Sequence, residues 1–251
     1  MINTMSGEAQ LETIGALLAD RTRATFMLTL LDGGQTSASA LAARAHVSRS
    51  LASSHLRKLV DGGMVVAEPH GRQRLYRLAS QKIAEALEAL ILLAPERPVS
   101  SLRGANERDT LRHGRLCYDH LAGRVGVALT DQLVERGLLA RTPERYAVTA
   151  EGVSAFAAID IDIDGLARRP RPLTRACLDW SERRDHLAGS LGAAFTAELL
   201  RRGWLEMREA SRVVTVTRVG RDALEVFAGL KCEELEPLAE QPPHVLRRVA
   251  A

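Results

Sequence analysis

Two clusters of cysteine, aspartate and histidine carry the residue types best suited to chemistry: Cys117, Asp119 and His120, then Cys177, Asp179, Asp185 and His186. A thiol beside an imidazole at a helix start has a lowered pKa and can sense oxidants or electrophiles. Two cysteines and two histidines brought together could instead hold zinc or another borderline metal. As buried free thiols, Cys117 and Cys177 would be small apolar packing residues. Asp119 and Asp185 read as helix N-caps. These readings stay open, as does a thiol-dependent enzyme pairing Cys117 with His120 or Cys177 with His186. No Gly-rich phosphate loop or nucleophile elbow accompanies them, so no residue is assigned as catalytic. The third cysteine, Cys232, has no counterpart and reads as incidental.

A second concentration is electrostatic. The chain of 251 residues carries +3 overall, but Arg44, Arg49, Arg57, Lys58, Arg72, Arg74 and Arg77 face only Asp61 and Glu68 in one short segment. The remainder is therefore net acidic. A local basic patch predicts a polyanionic partner; the plain alternative is a solvated face.

The elements around that patch follow from periodicity. Leu11, Ile14, Leu17 and Leu18 mark one helix, and Phe26, Met27, Leu30 and Leu31 a second, stopped by Asp32-Gly33-Gly34. Thr36 or Ser37 caps a short third helix through Ala45. After the turn Ala45-His46-Val47, Ser48 caps a fourth whose buried side is Leu51, Ala52, Leu56 and Leu59, closed by Gly62-Gly63. Two apolar runs, Met64–Ala67 and Leu75–Leu78, bracket Pro69-His70-Gly71-Arg72 as a β-hairpin. Ser80 caps a fifth helix with stripe Ile83, Leu87, Leu90 and Ile91. This is the order of a winged helix-turn-helix. The fourth helix offers Arg49, Ser50, Leu51, Ser53, Ser54 and Arg57 to base edges and phosphates, with Leu51 suited to a thymine methyl. Arg72 and Arg74 on the hairpin reach flanking phosphate or the minor groove. His55 reads as a structural histidine, and Trp180 and Trp204 as core or pocket walls.

At Leu17–Arg23, Leu41–Ser50, His55–Gly63 and Gly71–Leu78 the sequence resembles the ArsR family of winged-helix transcriptional regulators. The resemblance runs from about Glu8 to Leu93. It implies a homodimer, built on the first and fifth helices, that binds double-stranded DNA at an inverted-repeat operator. Members often have Pro where Arg21 stands and Gly where His46 stands. Metal-responsive members often carry ligands on the third or fifth helix. Here Ala38–Arg44 has no Cys-x-Cys motif and Gln81–Ala94 has no His, Cys or Asp, so those familiar sites are absent.

The C-terminal half looks duplicated. Cys117–Thr130 and Asp185–Thr196 are alike, and continue into Arg136-Gly137-Leu138-Leu139 and Arg202-Gly203-Trp204-Leu205, then Thr149 with Gly152 and Thr217 with Gly220. Leu121, Val125, Leu129 and Leu133 predict one helical stripe, and Leu187, Leu191, Phe195 and Leu199 its counterpart. The expected architecture is mainly α with short β-hairpins: a winged helix-turn-helix over residues 8–94, a linker over 95–106, and a duplicated helix–hairpin–helix domain over 107–240. The expected function is a DNA-binding repressor modulated by an effector at Cys117, Asp119, His120, Cys177, Asp179 and His186. No cofactor is certain; the effector could be a metal ion or a small molecule. A plain architectural DNA-binding protein is the further alternative, and would need only the first half.

Composition sets the outer limits. Hydrophobic residues make up 46% and aromatics 4%, which gives a core of Leu, Ala and Val and favours helices. No apolar run reaches about 18 residues, so no membrane-spanning helix is expected. The start of the chain lacks a secretory pattern and three cysteines are too few for a disulfide framework. A cytoplasmic protein with reduced thiols is expected.

Overall fold

The computed structural model describes residues 10–32, 34–95, 101–143, 145–208 and 211–231. The chain divides into two compact units, 1–87 and 88–251.

In the first unit, α1 (Leu11–Leu18) is followed by α2 (Arg21–Thr29), whose start is fixed by Asp20 accepting from the Arg23 amide at 2.9 Å. A single 3-10 turn, Leu30–Asp32, leads to β1 (Thr36–Ser37) and α3 (Ala38–Ala45). Ser37 caps α3 through the Ala40 amide, and His46 ends it in the left-handed region at φ 54°. A bulky residue pays strain there that Gly would not, yet the turn into α4 (Arg49–Asp61) demands it. Ser48 caps α4 through the Leu51 amide. β2 (Val65–His70) and β3 (Gln73–Leu78) form the wing, with Glu68 opposite Leu75 and His70 opposite Gln73. Strand β1 adds to β3, a pairing too short to be periodic in sequence. Helix α5 (Gln81–Leu93) follows. Phe26, Met27, Leu30, Leu41, Leu56, Leu59 and Leu78 form the core of this unit.

The second unit starts within α5. Residues 96–100, central to the expected linker, lie outside the described residues, as does Cys232. The linker expected to reach residue 106 is shorter than that, because α6 (Leu102–His113) begins inside it, capped by Ser101. Then come β4 (Arg115–Cys117), β5 (His120–Ala122), α7 (Gly123–Glu135), β6 (Leu139–Arg141), β7 (Tyr146–Val148), α8 (Ala150–Ala157) and α9 (Ile163–Ala167). The same order of hairpin, helix, hairpin, helix returns as β8 (Arg175–Leu178), β9 (Asp185–Ala188), α10 (Gly189–Arg201), β10 (Leu205–Met207), β11 (Val214–Val216) and α11 (Arg218–Ala228). Each pair of strands is antiparallel.

Two expectations need correcting. The Cys/Asp/His residues do not sit at helix starts but on the hairpins before them, and the N-caps are Ala122 and Ala188, not Asp119 and Asp185. Leu121 and Leu187 are likewise strand residues rather than the first turn of a helical stripe. The reason is Gly123 and Gly189, at φ 79° and 89°, which break the chain between strand and helix. An apolar spacing that crosses such a break imitates helical period. The Thr149 and Thr217 helix starts are as expected, each accepting from the glycine amide three residues on at 2.9 Å.

Candidate functional site

The basic surface of the first unit is built by α4 and the wing. Because Ala52, Leu56 and Leu59 are buried, the opposite face of α4 must point outward, and Arg49, Ser50, Ser53, Ser54 and Arg57 are all exposed. Leu51, expected both on the buried side and at the DNA face, is 46% exposed and stands among them. Ser53 turns its hydroxyl back to the Arg49 carbonyl at 2.9 Å. Arg72 lies at the hairpin tip and Arg74 on β3 opposite Pro69, both exposed. Arg77 is instead held by Glu68 at 2.8 Å. His55 is nearly covered, 3.4 Å from both Asp20 and Arg23, which fits the structural role expected of it.

In the second unit the hairpin register brings the other cluster together. Cys117 is paired with His120 across β4 and β5, and Cys177 with His186 across β8 and β9. All four are buried, and the two sulfurs lie 3.9 Å apart while the two imidazoles stack at 5.1 Å. One sulfur, Sγ of Cys117 or Cys177, and one ring nitrogen from each hairpin fall within 4.8 Å of one another. Asp119 accepts from His120 Nδ1 at 3.2 Å and is itself held by Arg171. Asp179 lies 3.6 Å from His186 Nδ1 and accepts from Arg115 at 2.9 Å and from the Gly123 amide at 2.7 Å. Asp185, opposite Leu178, is not among the four.

The electrostatics follow from this packing. Hydrogen bonding between the sulfurs lowers the Cys177 thiol, helped by His120 and His186 against burial, and raises Cys117. Burial opposes a charged His120, but the Asp119 bond and the adjacent Cys177 sulfur raise its pKa. Burial likewise opposes the Asp179 carboxylate, but the charges of Arg115 and His186 hold it far below its ordinary range.

Two features escaped the sequence reading. Arg115 is fully buried, with its guanidinium 4.5 Å from the Trp180 ring, so Trp180 is the wall of a charged pair rather than of an apolar pocket. Thr130 accepts from the Leu187 amide at 2.9 Å while Thr196 accepts from the Leu121 amide at 2.8 Å. A Gly four residues before each threonine, Gly126 and Gly192, was the available signal, because these glycines let the hairpin carbonyl of Leu121 or Leu187 come close.

A helix-turn-helix with its second helix outward, followed by an arginine-tipped wing, defines a DNA-binding protein of the winged-helix class. The chain is 38% identical over 218 residues to YdfF of Bacillus subtilis (strain 168), an uncharacterised HTH-type transcriptional regulator, covering 87% of this chain and 96% of that protein. It therefore belongs to the HTH-type transcriptional regulators, the class to which its ArsR-like motifs point, and the likeness must extend into the second unit. The HTH-type transcriptional regulator CmtR of Mycobacterium tuberculosis (strain ATCC 25618 / H37Rv) is 40% identical over 95 residues, 36% of this chain and 76% of that protein. The solution structure of the cadmium sensor CMTR from Mycobacterium tuberculosis aligns with 37% of this chain and 99% of its own, at 36% identity and a TM-score of 0.30. A scan against protein-family models finds no match. These relatives are named as regulators of transcription, not as enzymes. No helix among the described residues is long and apolar enough to cross a membrane.

Proposed function

We propose that the protein is a homodimeric cytoplasmic repressor that binds an inverted-repeat operator and is released or modulated through its C-terminal half. The observation that carries the reading is the outer face of α4, with Arg49, Ser50, Leu51, Ser53, Ser54 and Arg57 exposed while its other side is buried. Arg72 and Arg74 extend that face along the wing to flanking phosphate. Dimerisation is supported by unpartnered apolar surface on α1 and α5. No residue of α1 is buried, and Leu11, Leu90 and Leu93 are 76%, 47% and 83% exposed. Apolar helices of this kind need a partner to cover them.

The C-terminal domain contains two copies of one hairpin–helix–hairpin–helix unit, β4 to α8 and β8 to α11, related by a pseudo-twofold axis. Support comes from the repeated element order and from the reciprocal threonine bonds. Effector control lies where the copies meet, at Cys117, Asp119, His120, Cys177, Asp179 and His186. An effector acts only through its differential affinity for two states, and about 1–3 kcal/mol of coupling is the usual scale.

The test is a mobility-shift titration of the full chain on DNA from upstream of its own gene, with and without oxidants, metals and apolar metabolites. Two protomers on a twofold-symmetric footprint are expected. A footprint without symmetry, or a complex indifferent to every additive, would remove the operator or the effector part of the reading respectively.

A further inference from the structure

We propose that Cys117, His120, Cys177 and His186 bind one zinc ion per chain in a closed four-coordinate site. The proposal deepens the reading above by naming the ligand chemistry at the same cluster. It rests on that reading only for what the ion does to DNA binding.

The donor set is two sulfurs and two imidazoles, one of each from either hairpin, and all four side chains are buried. Two thiolates about 2.3 Å from a tetrahedral zinc lie ~3.8 Å apart. Here the sulfurs are 3.9 Å apart, so the longest edge of the donor set, 4.8 Å, closes by small side-chain rotations rather than by backbone movement. The histidines point to a missing ligand independently. His120 and His186 are 4% and 1% exposed, and Nε2 of each is buried with no hydrogen-bond partner. Their Nδ1 atoms face Asp119 at 3.2 Å and Asp179 at 3.6 Å. At His120 the carboxylate bonded to Nδ1 fixes the proton there, orients the ring and leaves Nε2 as a lone-pair donor, which is how metal-bound histidines are supported, whereas neither ring nitrogen of His186 has a hydrogen-bond partner.

Charge balances without help from solvent. Two thiolates neutralise a divalent ion, while Arg171 answers Asp119 and Arg115 answers Asp179. A disulfide needs the sulfurs about 2.0 Å apart and would leave both Nε2 atoms unpaired. Apolar packing also leaves them unpaired. Zinc satisfies all four donors at once, and with no open coordination position it ties one hairpin to the other instead of catalysing.

The experiment uses the full-length chain, reduced and stripped with chelator, titrated anaerobically with cobalt(II) as the spectroscopic probe. Tetrahedral visible bands and a sulfur-to-cobalt charge-transfer band should saturate at one ion per chain, and stoichiometric zinc should bleach them. Cys177→Ser should lose most of the charge-transfer band. Because a ligand variant can fail to fold, Asp119→Asn, at the partly exposed outer carboxylate, provides a second readout. It should keep the tetrahedral spectrum and weaken metal affinity about 10- to 100-fold. No saturation at stoichiometric metal, or an octahedral spectrum that survives Cys117→Ser/Cys177→Ser, overturns the site. Operator affinity measured in parallel separates the two claims. Metal binding that leaves operator affinity unchanged keeps the zinc site and removes effector control at this cluster. No metal binding together with an oxidant-sensitive operator complex does the reverse.

Discussion

Arg49 and Arg72 are both exposed arginines, and under the proposed function their positions predict different work. Arg49 opens the outward helix, where a guanidinium can meet a guanine edge, so Arg49→Ala should cost about 1–3 kcal/mol on the specific site and little on random DNA. Arg72 stands at the wing tip, and Arg72→Ala should lower the salt slope of binding while leaving sequence preference intact. Equal losses on specific and random duplexes, measured by fluorescence anisotropy, would assign Arg49 to phosphate instead. Arg115 is a residue of another kind. Its charge is buried against Asp179 and its planar face against Trp180. Arg115→Met leaves the Asp179 carboxylate buried without its cation, so urea unfolding should show a loss of about 3–5 kcal/mol. A loss below about 1 kcal/mol would mean that water reaches the site.

At the scale of elements, α7 and α10 are joined to the opposite hairpins by Thr130 and Thr196. Thr130→Val keeps the shape but orphans the buried Leu187 amide, so a destabilisation of about 1–3 kcal/mol is expected by denaturant titration. An unchanged midpoint would show that the hairpin is held by packing alone. The end of α10 carries a pH dependence. Glu198, bonded first by Arg201 and also by Arg202, is held at about 2 against an ordinary 4.5. The unfolded chain therefore binds the proton first, so this contribution is complete above pH 4.5 and is lost as pH falls toward 2. Arg201 is 62% exposed, which screens the pair and keeps the effect small. Glu198→Gln should flatten the acid limb of thermal stability, and an identical limb in the variant would deny the assignment. Capped helices and the wing were legible in the sequence because Ser37, Ser48, Thr149 and Thr217 combine a cap with a periodic stripe. The hairpins carrying Cys117 and Cys177 were not, because strands of three or four residues have no measurable period. Leu121 and Leu187 fell by accident at helical spacing. The donors themselves were legible by type and by repetition. Their carboxylate supports were only partly so: Asp119 and Asp179 stood among the expected residues, but nothing in the sequence showed which imidazole each one faces.

For the whole molecule, DNA binding by the proposed repressor needs both the outward face of α4 and a partner over the exposed apolar residues of α1 and α5. The most direct measurement is footprinting of the full chain on its own upstream DNA, with the mass of the complex determined alongside. Two protomers should protect two half-sites in inverted orientation, about one helical turn apart, with protection lost in the Arg49→Ala/Arg57→Ala variant. A monomer bound without symmetry, or a complex equally tight on random duplex and indifferent to that variant, would contradict the proposed function.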